Sequence, residues 1–412
     1  MGEKWLAVVL VVLYLAGCGD SDHRRHAGEE SKRALITQFL QEKMDRHDIP
    51  GLVLAVDLPE TGPLNIALGV SEMADNTPMR GDERFRIGSA SKSFTAIIVH
   101  QLAQEGKLAL ADSVEKWLPE LLPDGAAITI GQLLNHTAGV PNFSAEDAWL
   151  FPYVLDPETE WTDADLIGLI KELPRANAPG EDFFYSNSHY VLLGMIIEAV
   201  TGNGWQAETE SRFADLGLKS LHIPAGPRVE SAAMGYMNWR EWLEMDDDII
   251  PAGLVARPAI HPSFVGAAGI LAADMDDAMR WVEAVVEGEL LNEAGQQALL
   301  DWFDIPDMTI QVGRGVVHEP DWQLIGHRGQ IAGYDCSLQY RYGQLDNLTD
   351  GVPMAICINR SLAHVANASD INGLVLYDLL DLLFGTPETA AVSTHGAGER
   401  SRSAGRLLDS GF

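Results

Sequence analysis

Apolar positions at helical and strand spacing divide the chain into a small number of elements. Leu35, Ile36, Phe39, Leu40 and Met44 recur at helical spacing, which predicts an amphipathic helix over Ser31 to Arg46. Two strand-like runs follow, Gly51 to Leu58 and Leu64 to Val70, and then a polar loop around Asn76-Thr77-Pro78. A long helix is predicted from Ser91, with Phe94, Ile97, Ile98 and Leu102 on one face and Gly106 as its C-terminal stop. From about residue 110 to 270 the pattern is helix and loop with scattered prolines. Within it, Val191 to Val200 is almost wholly apolar and reads as a buried helix. An amphipathic helix over Ala272 to Val286 comes next. Strands are then predicted at Trp322 to Ile325, Tyr334 to Tyr342 and Val352 to Ile358, followed by a last apolar helix over Ile371 to Leu383.

This order predicts an α+β fold. Two strands alone are marginal, so the strands near both ends of the chain must share one antiparallel sheet. The N- and C-terminal helices then cover a face of that sheet. Residues 31–110 and 271–385 form the α/β lobe, residues 111–270 form an inserted all-helical lobe, and the cleft between them is the expected site.

The ends read differently. Trp5 to Ala16 is an apolar run of twelve residues, too short to span a bilayer comfortably and suited to the core of a signal peptide, with Lys4 before it and Glu3 cancelling that charge. It leads into Leu15-Ala16-Gly17-Cys18, which resembles the lipobox of bacterial lipoproteins. The expectation is a lipoprotein signal peptide over 1–18 with lipid attachment at Cys18. The protein would then be exported, periplasmic or at the cell surface, and touch membrane only through that anchor. The alternative is an ordinary signal peptide with a chance cysteine. Residues 19–30 read as a polar tether, and 386–412, rich in Gly, Ser, Thr and Ala, as a disordered tail.

Composition narrows function. The 412 residues are 46% hydrophobic and 21% charged, which excludes a wholly disordered chain, collagen or a coiled coil. Asp and Glu number 60 against 28 Lys and Arg, a net charge of -32. Such a surface repels phosphate backbones and anionic lipid, so no nucleic-acid partner is expected. The chain has three cysteines. With Cys18 set aside, Cys336 and Cys357 lie in strand-like runs that would place them nearly opposite in a hairpin. A disulfide and two buried thiols are both open.

Three short motifs carry chemistry. Ser89-Ala90-Ser91-Lys92 places a hydroxyl and an amine one helical turn apart at a helix start. The amine can take the Ser proton if burial lowers its pKa. Ser113-Val114-Glu115-Lys116 has the same spacing but reads as a surface helix start. Tyr185-Ser186-Asn187 precedes the buried helix, where Asn187 or Ser188 would cap it, and Tyr236-Met237-Asn238 competes with it. His327-Arg328-Gly329 is expected at a strand end, and His26-Ala27-Gly28 matches its spacing from within the tether. Each is weak alone.

Their order and flanks resemble the penicillin-recognising serine hydrolases, in the branch with a Tyr-x-Asn second motif: class C β-lactamases, one group of DD-carboxypeptidases, and related esterases. Phe85-Arg86-Ile87-Gly88-Ser89, Gly106-Lys107-Leu108, Leu133-Leu134-Asn135-His136-Thr137-Ala138-Gly139, Pro179-Gly180, Leu192-Leu193-Gly194 and Gly333-Tyr334 agree as well, so the resemblance spans roughly residues 31 to 385.

What the resemblance implies is an acyl-enzyme formed on Ser89, with Lys92 accepting its proton. Tyr185 would serve as acid and later base, assisted by positive charge from Lys92 and His327. Asn187 would hold Lys92 and a substrate amide, and Gly329 would let substrate backbone lie against the strand. The backbone N–H groups of Ser89 and Gln330 would form the oxyanion hole. No metal and no cofactor are implied. The substrate would be a small peptide, ester or β-lactam, with D-alanyl-D-alanine carboxypeptidase chemistry on peptidoglycan stem peptides leading. An esterase, amidase or D-amino-acid peptidase comes next, then a β-lactamase, and a non-catalytic binding lipoprotein last. His327 and Arg328 replace the Lys and Thr usual in class C β-lactamases. Arg328 would pair with a substrate carboxylate or else point to solvent. Phe143, Trp149 and Tyr153 are candidate pocket aromatics, with packing within the lobe as the plainer reading. Oligomeric state is left open.

Overall fold

The computed structural model describes residues 28–240, 253–257, 259–331, 333–361 and 375–385. The expected signal peptide with Cys18, residues 19–27 of the tether, His26 and the expected tail lie outside the described residues.

Helix α1 spans 28–46 and takes in the last three residues assigned to the tether. Strands β1 (Gly51–Leu58) and β2 (Gly62–Glu72) form a hairpin. Helix α2 (Lys92–Gln104) ends before Gly106, whose φ of 69° only glycine adopts without cost. Helix α3 (Asn187–Thr201) is the predicted apolar one. Helix α4 (Met275–Val286) is capped by Asp274, whose side chain accepts from the Asp277 N–H, so Ala272 and Ala273 fall in a short strand instead. Strands β3 (Leu324–Ile331), β4 (Tyr334–Arg341) and β5 (Val352–Ile358) complete the sheet centre, and α5 (Tyr377–Phe384) follows.

The third predicted strand needs correction. Pro320–Trp322 is a 3-10 turn, and β3 runs on through Ile331, so His327-Arg328-Gly329 lies inside a strand. The two glycines and the charged pair hid the period-2 pattern.

The sheet has nine strands, ordered Thr77–Pro78, β2, β1, β5, β4, β3, Val317–Glu319, Gln311–Val312 and Phe303–Asp304. Every pairing in it is antiparallel. β1 lies against β5, with Leu52 opposite Ile358, so the two ends of the chain share the sheet. Alternation sorts the faces. Leu52, Leu54 and Val56 pack with Ile36, Leu40 and Met44 of α1 and with Leu379 and Leu380 of α5. Val53 and Ala55 point the other way, into a core shared with Trp281 of α4 and with the helical segments. Cys336 and Cys357 are directly opposed on β4 and β5 and are joined as a disulfide, which settles the alternatives left open.

Candidate active site

Ser89 lies in a 3-10 turn, Gly88–Ser91, that feeds directly into α2. The turn presses against β3, and two glycines permit it. Gly88 has φ 52°, and a Cβ there would meet the Gln330 nitrogen at 2.8 Å. A Cβ on Gly329 would run into the Ile87 carbonyl oxygen. Gly329 therefore lets β3 reach the Ser89 turn. The same approach brings the Gln330 backbone beside Ser89, as an oxyanion hole requires. The pairing of Val317–Glu319 with β3 stops at Gly326. Residues 327–331 thus run past the end of that pairing.

Lys92 is wholly buried, and its amine has three partners: Ser89 Oγ at 3.0 Å, Asn187 Oδ1 at 2.8 Å and the Ala268 carbonyl at 2.8 Å. The amide and the carbonyl can only accept, so they take two N–H groups. Burial pushes the amine well below its ordinary pKa and favours the neutral form. A neutral amine with two N–H groups so committed has its lone pair left for Ser89 Oγ–H. The site is built to take a proton from Ser89.

Tyr185 Oη donates to Ser89 Oγ at 2.8 Å. The ring is buried, and burial raises the phenol above its ordinary range. Burial also pulls His327 down to about 3. In the resting site neither Lys92 nor His327 supplies the expected positive charge, and Tyr185 is a phenol that donates; Lys92 gains charge only on taking the Ser89 proton.

Asn187 is held from both sides: its Nδ2 donates to Ser144 Oγ at 3.0 Å, and its backbone N–H donates to Asn142 Oδ1 at 3.1 Å. With its side chain so engaged it cannot cap α3, and Ser186 does so instead, accepting from the Ser188 N–H. The segment bearing Tyr185 is tied to the His136 turn, through Phe184 N–H to the His136 carbonyl and Gly180 N–H to the Thr137 carbonyl, both at 2.8 Å. Sequence reasoning missed Asn142, Ser144 and the Ala268 carbonyl. A backbone carbonyl leaves no signature in the sequence, and the two side chains matter only through Asn187.

His327 lies on the same side of β3 as Gly329, and its Nδ1 faces the Arg328 carbonyl at 2.5 Å. Alternation puts Arg328 and Gln330 on the other face, and Gln330 Nε2 reaches Asp335 across the strands at 3.4 Å. Arg328 is buried, so it does not point to solvent, and its face is not the one that carries His327. Phe143, Trp149 and Tyr153 are packed with Phe264, and the Trp149 indole donates to the Phe264 carbonyl at 2.8 Å; they are lobe core. The competing motifs fall elsewhere. Ser113 precedes a short helix whose exposed Lys116 pairs with Asp112 ahead of it, and Tyr236 Oη donates to Glu72.

A hydroxyl between a buried amine and a buried phenol, on a turn held against a sheet strand, defines a serine hydrolase of the penicillin-recognising type. The chain belongs to the beta-lactamase family, whose model matches residues 36–370. Penicillin-binding protein 4* of Bacillus subtilis (strain 168) is 26% identical over 337 residues, covering 76% of this chain and 70% of that protein. Protein flp of Staphylococcus aureus (strain N315) is 30% identical over 213 residues, 48% of this chain and 41% of that one. Among solved structures, a D-stereospecific amidohydrolase from Streptomyces sp. matches with TM-score 0.72 and 25% identity, covering 83% of this chain and 97% of that one. The D-amino acid amidase of Ochrobactrum anthropi SV3 complexed with D-phenylalanine matches with TM-score 0.71 and 26% identity, covering 87% of this chain and 98% of that one.

Proposed function

We propose that the protein hydrolyses acyl bonds at D-configured residues through an acyl-enzyme on Ser89, with D-alanyl-D-alanine carboxypeptidase activity on stem peptides as the leading assignment. The observation that carries it is the Lys92 amine, whose other partners are acceptors and whose lone pair is left for Ser89. In acylation Lys92 takes the Ser89 proton as Oγ attacks the carbonyl. Tyr185 gives its proton to the leaving amine and later takes one from the attacking water. The backbone N–H groups of Ser89 and Gln330 receive the oxyanion. The stretch of β3 beyond Gly326 offers main-chain groups to an extended peptide.

A second reading, D-amino-acid amidase, is favoured by the match to two D-specific amidohydrolases over 97% and 98% of their length. One experiment separates the two. Purified protein is given a peptide ending in D-Ala-D-Ala and, in parallel, D-phenylalanine amide, with Ser89→Ala as control. D-alanine release by the wild type alone supports the carboxypeptidase. Ammonia from the amide without D-alanine release moves the assignment to the amidase. Activity persisting in Ser89→Ala contradicts both.

The lipoprotein reading belongs here too. We propose that Cys18 carries a lipid anchor that holds the enzyme near its cell-wall substrate. Cys18→Ser would release the protein from the membrane fraction, and an unmodified mass at that residue in the natural host would refute it. Among the described residues no helix is long and apolar enough to cross a membrane.

A further inference from the structure

Behind Tyr185 lies a pair of buried histidines that the reaction scheme does not use. His189 Nε2 accepts the Val140 backbone N–H at 3.2 Å. In a neutral ring its proton must then be on Nδ1. That Nδ1 lies 3.0 Å from His136 Nδ1, which also accepts the Ser186 N–H at 3.3 Å. His136 therefore carries its own proton on Nε2. Burial keeps both rings uncharged, with His189 pulled down to about 3 and His136 well below the ordinary value. A backbone amide thus fixes the tautomer of two rings in series.

His136 is 5% exposed, and its Nε2 has no hydrogen-bond partner among the described residues. His136 and His327 both line one small cavity, together with Leu134, Tyr190 and residues between Val312 and Val317. Its volume is about 10 Å³, the room that one water needs. A buried N–H left without a partner is costly, and a water here would relieve that cost. The His136 ring also lies 4.4 Å from the Tyr185 ring, centroid to centroid.

We propose that His136, with its tautomer set by His189, holds one water in this cavity and through it positions His327 behind the catalytic serine. His136 is a positioning residue and takes no proton from substrate. The kinetic part of the inference rests on Ser89 as nucleophile; the tautomer and the water do not.

The test uses the full chain with ¹⁵N-labelled histidine. The proposal expects His136 and His189 to show opposite tautomers, Nε2–H and Nδ1–H. His136→Asn keeps an acceptor at the Nδ1 position and removes the N–H that faces the cavity. It should shift the His327 ¹⁵N resonances and slow the p-nitrophenyl ester burst about tenfold to a hundredfold, as small misplacements in active sites do, with the ester KM little changed. A wild-type His136 protonated on Nδ1 would overturn the proposal. So would a folded His136→Asn protein with unaltered His327 resonances and burst rate. If the variant does not fold, the wild-type tautomers and a water-to-His136 Nε2–H exchange peak decide it. A wild type with no burst refutes the Ser89 reading, while the ¹⁵N spectra still judge the histidine pair.

Discussion

The hydrogen-bond partners of single residues set the direction of proton transfer. Lys92 faces two groups that can only accept and one that can also donate, and that asymmetry directs the proton from Ser89 to Lys92. Lys92→Arg should be inactive, because a guanidinium stays charged and offers no lone pair. Ester turnover below about one thousandth of wild type, in a protein of unchanged circular dichroism, would agree. The pH dependence has a definite sign. Because burial lowers the Lys92 pKa, the acylation rate should rise with pH as Lys92 loses its proton, with a midpoint below the ordinary 10.5, and level off above that midpoint. A rate that falls as pH rises through this range would mean that the charged amine is the active form.

At the element scale the site depends on β3 closing against the Ser89 turn. Gly88→Ala would place a Cβ against the Gln330 nitrogen in a backbone conformation costly to other residues, about 1–2 kcal/mol before any clash. It should lower the acylation rate far more than it lowers stability. Gly106→Ala is the matching control: its φ is also positive, at 69°, but open space surrounds it. It should carry only the strain, about 1–2 kcal/mol, and leave turnover unchanged. Equal turnover in the two variants would mean that the close approach does not shape the site.

Legibility also divides at this scale. The helix around Ile36 and Leu40 could be read because its burial is periodic, and the strand around Val53 because a short apolar run marks a strand buried on both faces. The short strands Thr77–Pro78, Phe303–Asp304 and Gln311–Val312 could not, since two residues define no period. Ser89, Lys92, Tyr185 and Asn187 stand in motifs that are weak by spacing alone and could be picked out only through their joint resemblance to the penicillin-recognising hydrolases; the structure brings all four together. Arg328 could not be assigned, because the length and twist of β3 decide its face. His136 was visible only as part of a flanking run, since its role depends on His189, 53 residues away.

Across the whole molecule, buried neutral histidines and one cross-strand disulfide each contribute to stability alongside the apolar cores. Burial holds His100 and His318 at about 4 and His189 and His327 at about 3, below the ordinary 6.5. The unfolded chain therefore binds protons that the folded chain refuses, and stability falls as pH drops from 6.5 toward those values. Between pH 6.5 and 5 each ring contributes a loss of about 1–2 kcal/mol. Asp163, raised to about 6 by burial, acts in the opposite direction. Urea denaturation should show lower stability at pH 5 than at pH 7, and equal midpoints would contradict burial of these rings in the neutral form. The disulfide closes a loop with a sequence separation of 21 residues, so Cys336→Ser with Cys357→Ser should cost about 3 kcal/mol. An unchanged denaturation midpoint in the double variant would show that the bridge adds nothing to stability.

The proposed chemistry requires that Ser89 become acylated. Its most direct measurement is the intact mass of the protein after brief exposure to a penicillin or an activated acyl ester, followed by peptide mapping. A single adduct is expected on the peptide that contains Ser89, absent from Ser89→Ala and strongly reduced in Lys92→Arg. An adduct on another residue, or none with any acyl probe while the protein remains folded, would contradict it.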